Sequence, residues 1–424
     1  MKRLALVMVM LALLPLTAVA ASDPLPTVAA IHFTGNKVTN DKVMLREMVI
    51  HVGDPLDAER IERSRQAIMN LGLFKSVTAS VEEGNVLLIT VVERYYILPL
   101  PLLDARPEGD YSYGAELRFD NLAGLNQRFK LTYEEKDSVT KDLPHAKEGG
   151  ITYAYPRLND SAYQLDFSSK VKQYEFPWPD KYAPQAHYRI DAWNTSLSLS
   201  RWANDEGVSR GWRYGAGLSH QVNDYRLMDG SAGDLLDGQA VSLNATLESV
   251  EVDDYAFYRD GRIFGVRGEL GMPILDSDFS FSREQVYYRA YHHLPSTGAN
   301  INSQWQFGFA NGCSFDCAAW KLGGGSTLRG YDSEYVSGNI FALANLEYHH
   351  PMSGFNQLRG VIFTDVGDAW GDMESMTLTH LKSSVGVGLR WTVQSFVDIT
   401  LRADFAYGLD AQSYHGYFST RASF

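Results

Sequence analysis

The sequence predicts a mainly β protein, a transmembrane antiparallel barrel of about sixteen strands preceded by one small α/β unit of order β-α-α-β-β. Three observations predict it. A charged and then apolar leader opens the chain, polar and apolar residues alternate through most of the remaining sequence, and aromatics are abundant, at 24 Tyr, 20 Phe and 8 Trp.

The leader comes first. Lys2 and Arg3 precede an apolar run to about Leu16, and Ala18, Val19, Ala20 and Ala21 form an A-x-A pattern, so residues 1–20 are expected to be a secretory signal peptide. Pro15 and Thr17 interrupt the run where a spanning helix would continue, and no cysteine stands at the cleavage point to carry a lipid. Past residue 21 no stretch of about eighteen apolar residues occurs, so any membrane crossing must be made by strands, which satisfy their backbone in lipid only when closed into a barrel. A mean hydropathy of −0.22 is compatible with this, because alternate residues of a barrel strand face water.

Residues 25–94 read as the α/β unit. A strand over 28–34 ends at Gly35-Asn36, residue types that tolerate a turn. Asn40 can cap a helix running to about Ile50, and Asp57 a second one, in which Ile61, Ser64, Ile68 and Leu71 fall on one stripe. Strands over 77–82 and 86–92 come next, joined at Glu83-Gly84-Asn85.

Over 95–424 the period changes to two. Tyr111, Tyr113, Ala115, Leu117 and Phe119 alternate with Ser112, Gly114, Glu116 and Arg118, and Val385, Val387, Leu389 and Trp391 alternate with Gly386, Gly388 and Arg390. Strands of roughly nine to fourteen residues recurring about every twenty fit a membrane barrel better than a sandwich of shorter strands. Phe418, Thr420, Ala422 and Phe424 share one face of an expected last strand.

Composition and motifs exclude other classes. With 51 acidic and 38 basic residues the net charge is −13, which argues against nucleic acid, since phosphate neutralisation needs clustered Lys and Arg. Gly323-Gly324-Gly325-Ser326 lacks the Gly-Lys of a phosphate loop, there is no G-x-S-x-G elbow, and His349-His350 and His292-His293 point to opposite faces of their strands. Neither an enzyme, a metal site nor a cofactor is expected. Cys313 and Cys317, the two cysteines of a chain expected to meet an oxidising compartment, are expected to form a small disulfide loop.

Four patterns then converge. Leu71-Gly72-Leu73-Phe74 comes after the second helix; Leu328-Arg329-Gly330-Tyr331 lies in a long loop, 312–338, after a glycine run; Phe363-Thr364-Asp365-Val366-Gly367 comes two strands later; and Glu347 sits on the strand between. Together these resemble the BamA/TamA superfamily of outer-membrane assembly and translocation barrels, with a single POTRA-like periplasmic domain, over nearly the whole mature chain. The resemblance implies an outer-membrane location with the small domain in the periplasm. Its implied partners are outer-membrane lipids, extended or unfolded client polypeptides, and a periplasmic or lipoprotein companion. It also implies that Arg329 reaches back into the barrel to meet Glu347 and Asp365, both of which strand parity turns inward. The best-known members carry several such domains, so one domain implies a specialised role, with a passive pore or a structural surface antigen without insertase activity as the alternative.

The resemblance further implies a weak seam between first and last strands. Pro99 and Pro101 fall in the expected first strand and would remove donors from one of its edges, facing the strand that carries Phe418 and Phe424. The same prolines also suit a linker ahead of the barrel, and the sequence does not choose.

Overall fold

The computed structural model describes residues 25–420 apart from 106–109, 139–145, 179–184, 205–207, 232, 234, 236, 314, 316–318 and 398. The leader over 1–20, Cys317 and Phe424 lie outside the described residues.

The small domain runs β1 (Ala30–Thr34), α1 (Asp41–Leu45), α2 (Ala58–Met69), β2 (Phe74–Glu82) and β3 (Val86–Glu93). Its sheet has the order β1-β3-β2, with β1 parallel and β2 antiparallel to β3. Asn40 and Asp57 cap the helices through the amides of Lys42 and Glu59, at 3.1 and 2.9 Å. The first helix is shorter than expected, ending at Leu45 rather than near Ile50. The cause is tertiary: the amides of Val49 and Ile50 donate to the Ser64 hydroxyl of α2, at 3.0 and 3.2 Å, instead of continuing the helical ladder. Ser64 and Ile68 are fully buried, and Met44, Met48, Ile50, Phe74, Leu87 and Ile89 complete the core around them.

The barrel strands are β4 (Ile97–Ala105), β5 (Asp110–Leu122), β6 (Gln127–Ser138), β7 (Ala146–Tyr155), β8 (Tyr163–Trp178), β9 (Ala186–Trp202), β10 (Gly211–Gly230), β11 (Gly238–Asp254), β12 (Arg259–Gly271), β13 (Phe281–Leu294) and β14 (Ala299–Gly312). A ribbon of β15 (Trp320–Leu322) and β16 (Val336–Gly338) interrupts them, before β17 (Ile340–Met352), β18 (Phe355–Trp370), β19 (Lys382–Thr392), β20 (Thr400–Gly408) and β21 (Ser413–Ser419). Ribbon apart, these form one 16-stranded sheet in chain order. Parity sorts their side chains. Val385, Val387, Leu389 and Trp391 stand on the outer face of β19, whereas Ser384 and Arg390 are buried on the inner one. An outer face so rich in exposed apolar groups is a lipid face.

Strands β8 to β11 exceed the expected length, at 16, 17, 20 and 17 residues, as does β18 at 16. At about 3.4 Å per residue, even a tilted strand of this length overshoots an apolar band roughly 25 Å tall. Each of the last five residues of β10 is exposed, so the excess projects at the end away from the small domain. The ribbon has no signature in the sequence, because three-residue strands are too short to show a period.

Candidate functional site

The loop between β14 and β17 folds back into the barrel. Its tip is shaped by glycine: Gly330 has φ 84°, and a Cβ there would lie 2.6 Å from the backbone nitrogen of Gly408 on β20. Only a residue without a side chain lets the loop approach the wall so closely. The Gly330 amide donates to the Tyr417 hydroxyl at 3.0 Å, and its carbonyl accepts from Ser413 at 3.0 Å, so the tip rests on β20 and β21.

This approach carries Arg329 into the interior, where it is 2% exposed. Its Nε and Nη2 donate to the two oxygens of Asp365 at 2.7 and 2.6 Å, a bidentate pairing on β18, and its own amide donates to the same carboxylate at 3.1 Å. Nη1 donates to Glu347 on β17 at 2.6 Å and to Asp404 on β20 at 3.2 Å. The guanidinium also lies 3.5 Å from the ring centroid of Phe363, a cation–π contact. Arg390 on β19 donates to Glu347 at 3.2 Å and also to Asp404, and Arg402 on β20 donates to Asp404 at 2.6 Å. Three arginines thus face three carboxylates, and the buried cluster is balanced in charge, which its burial demands. Asn345 donates to Asp365 and to the Thr327 carbonyl, both at 2.8 Å, tying the loop to β17 as well. Tyr331, 1% exposed, donates through its hydroxyl to the Ser383 carbonyl at 2.7 Å.

Sequence reasoning singled out Arg329, Glu347 and Asp365 but passed over Asp404, Arg390 and Arg402. Their inward parity was legible; their meeting was not, because it depends on strand register and on where the loop lands. His349 and His350 do face opposite ways: His349 is buried against Glu347 at 2.8 Å, and His350 is exposed. Cys313 is disulfide-bonded. In the small domain Phe74 is fully buried, Leu71 packs half-buried against the core and Gly72 turns the chain with φ 73°.

The seam has its own geometry. Strands β4 and β21 lie side by side, yet no ladder joins them among the described residues. Pro99 and Pro101 are in β4, opposite Leu117 and Ala115, and not in a linker. The Asp120 amide donates to the Tyr96 carbonyl at 2.8 Å, so even residues of β4 bond toward β5; the Tyr95 amide donates the other way, to Ser395, at 2.8 Å. Carried along the unbroken register, this parity turns Pro99 and Pro101 toward β21, where each removes a donor. Phe418 is on the outer, lipid-facing side of β21.

The small domain docks on the adjacent barrel mouth. Tyr96 and Val397 join its hydrophobic core, the Asn40 amide donates to Gly124 at 3.0 Å, and Glu47 pairs with Arg157 at 3.0 Å, both buried. Ser209 donates its amide to Glu47 at 2.7 Å, and Gln66 and Asn70 reach Asp254 and Asp253 at 3.0 and 2.9 Å. The contacts run round the mouth from the β19–β20 turn past β4 to the β11–β12 turn.

Residues 109–420 match the Omp85 superfamily domain, and residues 26–94 match the POTRA family, described as a surface antigen variable number repeat. Among curated proteins, the outer membrane protein assembly factor BamA of Nitratidesulfovibrio vulgaris (strain Hildenborough) is 24% identical over 393 residues, covering 84% of this chain and 46% of that protein. The chain therefore spans less than half the length of this relative. Among solved structures, BamA from Haemophilus ducreyi lacking POTRA domains 1-3 has a TM-score of 0.56 at 16% identity, covering 93% of this chain and 84% of that one. CdiB from Acinetobacter baumannii has a TM-score of 0.66 at 17% identity, over 93% of this chain and 73% of that one. CdiB from Escherichia coli has 0.59 at 14% identity, over 96% and 92%. At these identities the structures speak for the fold, and the family match carries the assignment: the chain belongs to the Omp85 superfamily, an outer-membrane barrel with its POTRA domain in the periplasm.

Proposed function

We propose that this protein inserts client polypeptides into the outer membrane or passes them across it, with the POTRA domain as the docking element. The observation that carries the reading is the seam: a first strand whose free edge is blanked by Pro99 and Pro101 and makes no ladder with β21 among the described residues. Such an edge separates at low cost, and a client strand can pair with an opened edge by β-augmentation. The edges of β1 and β2 in the POTRA sheet offer a second place for an extended segment. Neither step needs a nucleotide or a metal, because client folding and lipid burial supply the free energy. In this reading Arg329 and its partners hold the loop as a fixed strut beside the seam, and a periplasmic or lipoprotein companion delivers the client.

Deleting residues 22–94 and comparing the outer-membrane proteome with wild type tests the proposal. Loss of specific outer-membrane or secreted proteins is the expected result. An unchanged proteome with altered small-solute permeability would replace it with the passive-pore reading.

A further inference from the structure

At the periplasmic rim, outside the barrel, the POTRA domain and the first two strands line an open groove of about 1040 Å³. Its floor belongs to the lipid-facing surface: Ile97 is 61% exposed on the outer side of β4, and Phe119 and Phe396 lie beside it. Its upper wall is the edge of the POTRA domain and carries Lys37, Lys75 and Arg94. Lys37, Lys75 and Arg94 gather here beside one carboxylate, so this stretch of the rim is net positive on a chain whose net charge is −13. Glu93, the one acidic residue lining it among the described residues, is occupied: its carboxylate accepts from the amides of Lys37, Val38 and Thr39 at 3.0, 3.1 and 2.7 Å. Neither Lys37 nor Lys75 meets a carboxylate among the described residues, and the Lys75 ammonium stands 5.5 Å from the Tyr95 ring centroid.

We infer that this groove holds an anionic phospholipid of the periplasmic leaflet, its phosphate at Lys37 and Lys75 and its acyl chains along Ile97 and Phe119. The arrangement matches a lipid's own: apolar surface that already faces the bilayer, capped by cations where headgroups lie. A client strand fits less well at this level, because the Tyr95 amide that would start its ladder is already bonded to Ser395. A lipid seated here would bridge the POTRA domain and the barrel next to the seam.

Native mass spectrometry of the detergent-purified mature chain, titrated with phosphatidylglycerol or phosphatidylethanolamine, tests this. Phosphatidylglycerol is expected to bind more tightly than phosphatidylethanolamine, and Lys37→Gln with Lys75→Gln to weaken it roughly twenty-five-fold, at about fivefold per lysine. Lys37→Gln alone, roughly fivefold weaker, serves if the double variant fails to fold, as read from heat-dependent gel mobility. Substituting Lys170 and Lys172 of β8 with glutamine should leave binding unchanged. Equal binding of both lipids, or no loss in the lysine variants, overturns the inference. So does complete displacement of the lipid by inorganic phosphate, which would make it a simple anion site, or by a strand peptide ending in phenylalanine, which would make it a client site.

Discussion

Truncating Arg329 to alanine removes four side-chain hydrogen bonds from a buried cluster, two to Asp365 and one each to Glu347 and Asp404. The loss is uneven. Glu347 keeps Arg390 and His349, and Asp404 keeps Arg390 and Arg402, whereas Asp365 keeps, among the described residues, only neutral donors, the amide of residue 329 and Asn345. The cluster would pass from three arginines against three carboxylates to two against three, with the excess charge at a side chain of 0% exposure. Leaving one such charge uncompensated costs on the order of 3–5 kcal/mol. Arg329→Lys restores the charge but not the bidentate geometry, and should recover about half of that. Adding Asp365→Asn to Arg329→Ala removes the orphaned charge and should return about 1–3 kcal/mol, a coupling that simple loss of packing would not produce. Urea titration followed by gel mobility gives the stability, and hydrogen exchange over residues 323–331 reports the loop. If Arg329→Ala costs less than about 1 kcal/mol and loop exchange is unchanged, the cluster does not hold the loop and the reasoning fails.

The docking contacts, the seam and Glu93 each set a further expectation. Glu47→Ala removes the buried carboxylate that Arg157 and Ser209 share and should weaken POTRA docking by about 1.5–3 kcal/mol, seen as faster exchange at residues 208–210; unchanged exchange would mean that the pair does not secure the domain. Restoring donors with Pro99→Ala and Pro101→Ala should tighten the seam, raising the temperature at which the barrel shifts on a gel while reducing assembly activity; no shift would show that this edge does not limit opening. Burial pushes the Glu93 carboxyl upward, but hydrogen bonds from Thr39, Lys37 and Val38 outweigh it and hold it below its usual value. Because the folded value is the lower one, its stabilisation is full above the unfolded pKa of about 4.3 and disappears as pH falls through the folded value. Exchange at residues 36–40, corrected for intrinsic rate, should therefore rise on acidification below about pH 4.3 in wild type but not in Glu93→Gln.

Local patterns in the chain were enough to establish the class and much of the outline. Strand alternation in residues 111–119 and 385–391, the caps at Asn40 and Asp57 and the turn at Glu83-Gly84-Asn85 are all local signals, set by a period of two, a side-chain oxygen beside a helix start, or residues that accept positive φ. Inward parity of Glu347 and Asp365 was legible for the same reason. Whatever depended on distant partners was settled only by the folded chain. The first helix does not reach Ile50 because a hydroxyl from the second helix captures the amides of Val49 and Ile50. Asp404, Arg390 and Arg402 enter the cluster because barrel register brings β19 and β20 under the loop tip. Whether Pro99 and Pro101 lie in the first strand or in a linker was ambiguous until the pairing of β4 with β5 and the bonds of Tyr95 and Tyr96 placed them on the strand edge toward β21. Spacing along a chain encodes periodicity and capping; it does not encode which residues, hundreds of positions apart, the closing of a barrel will bring within reach.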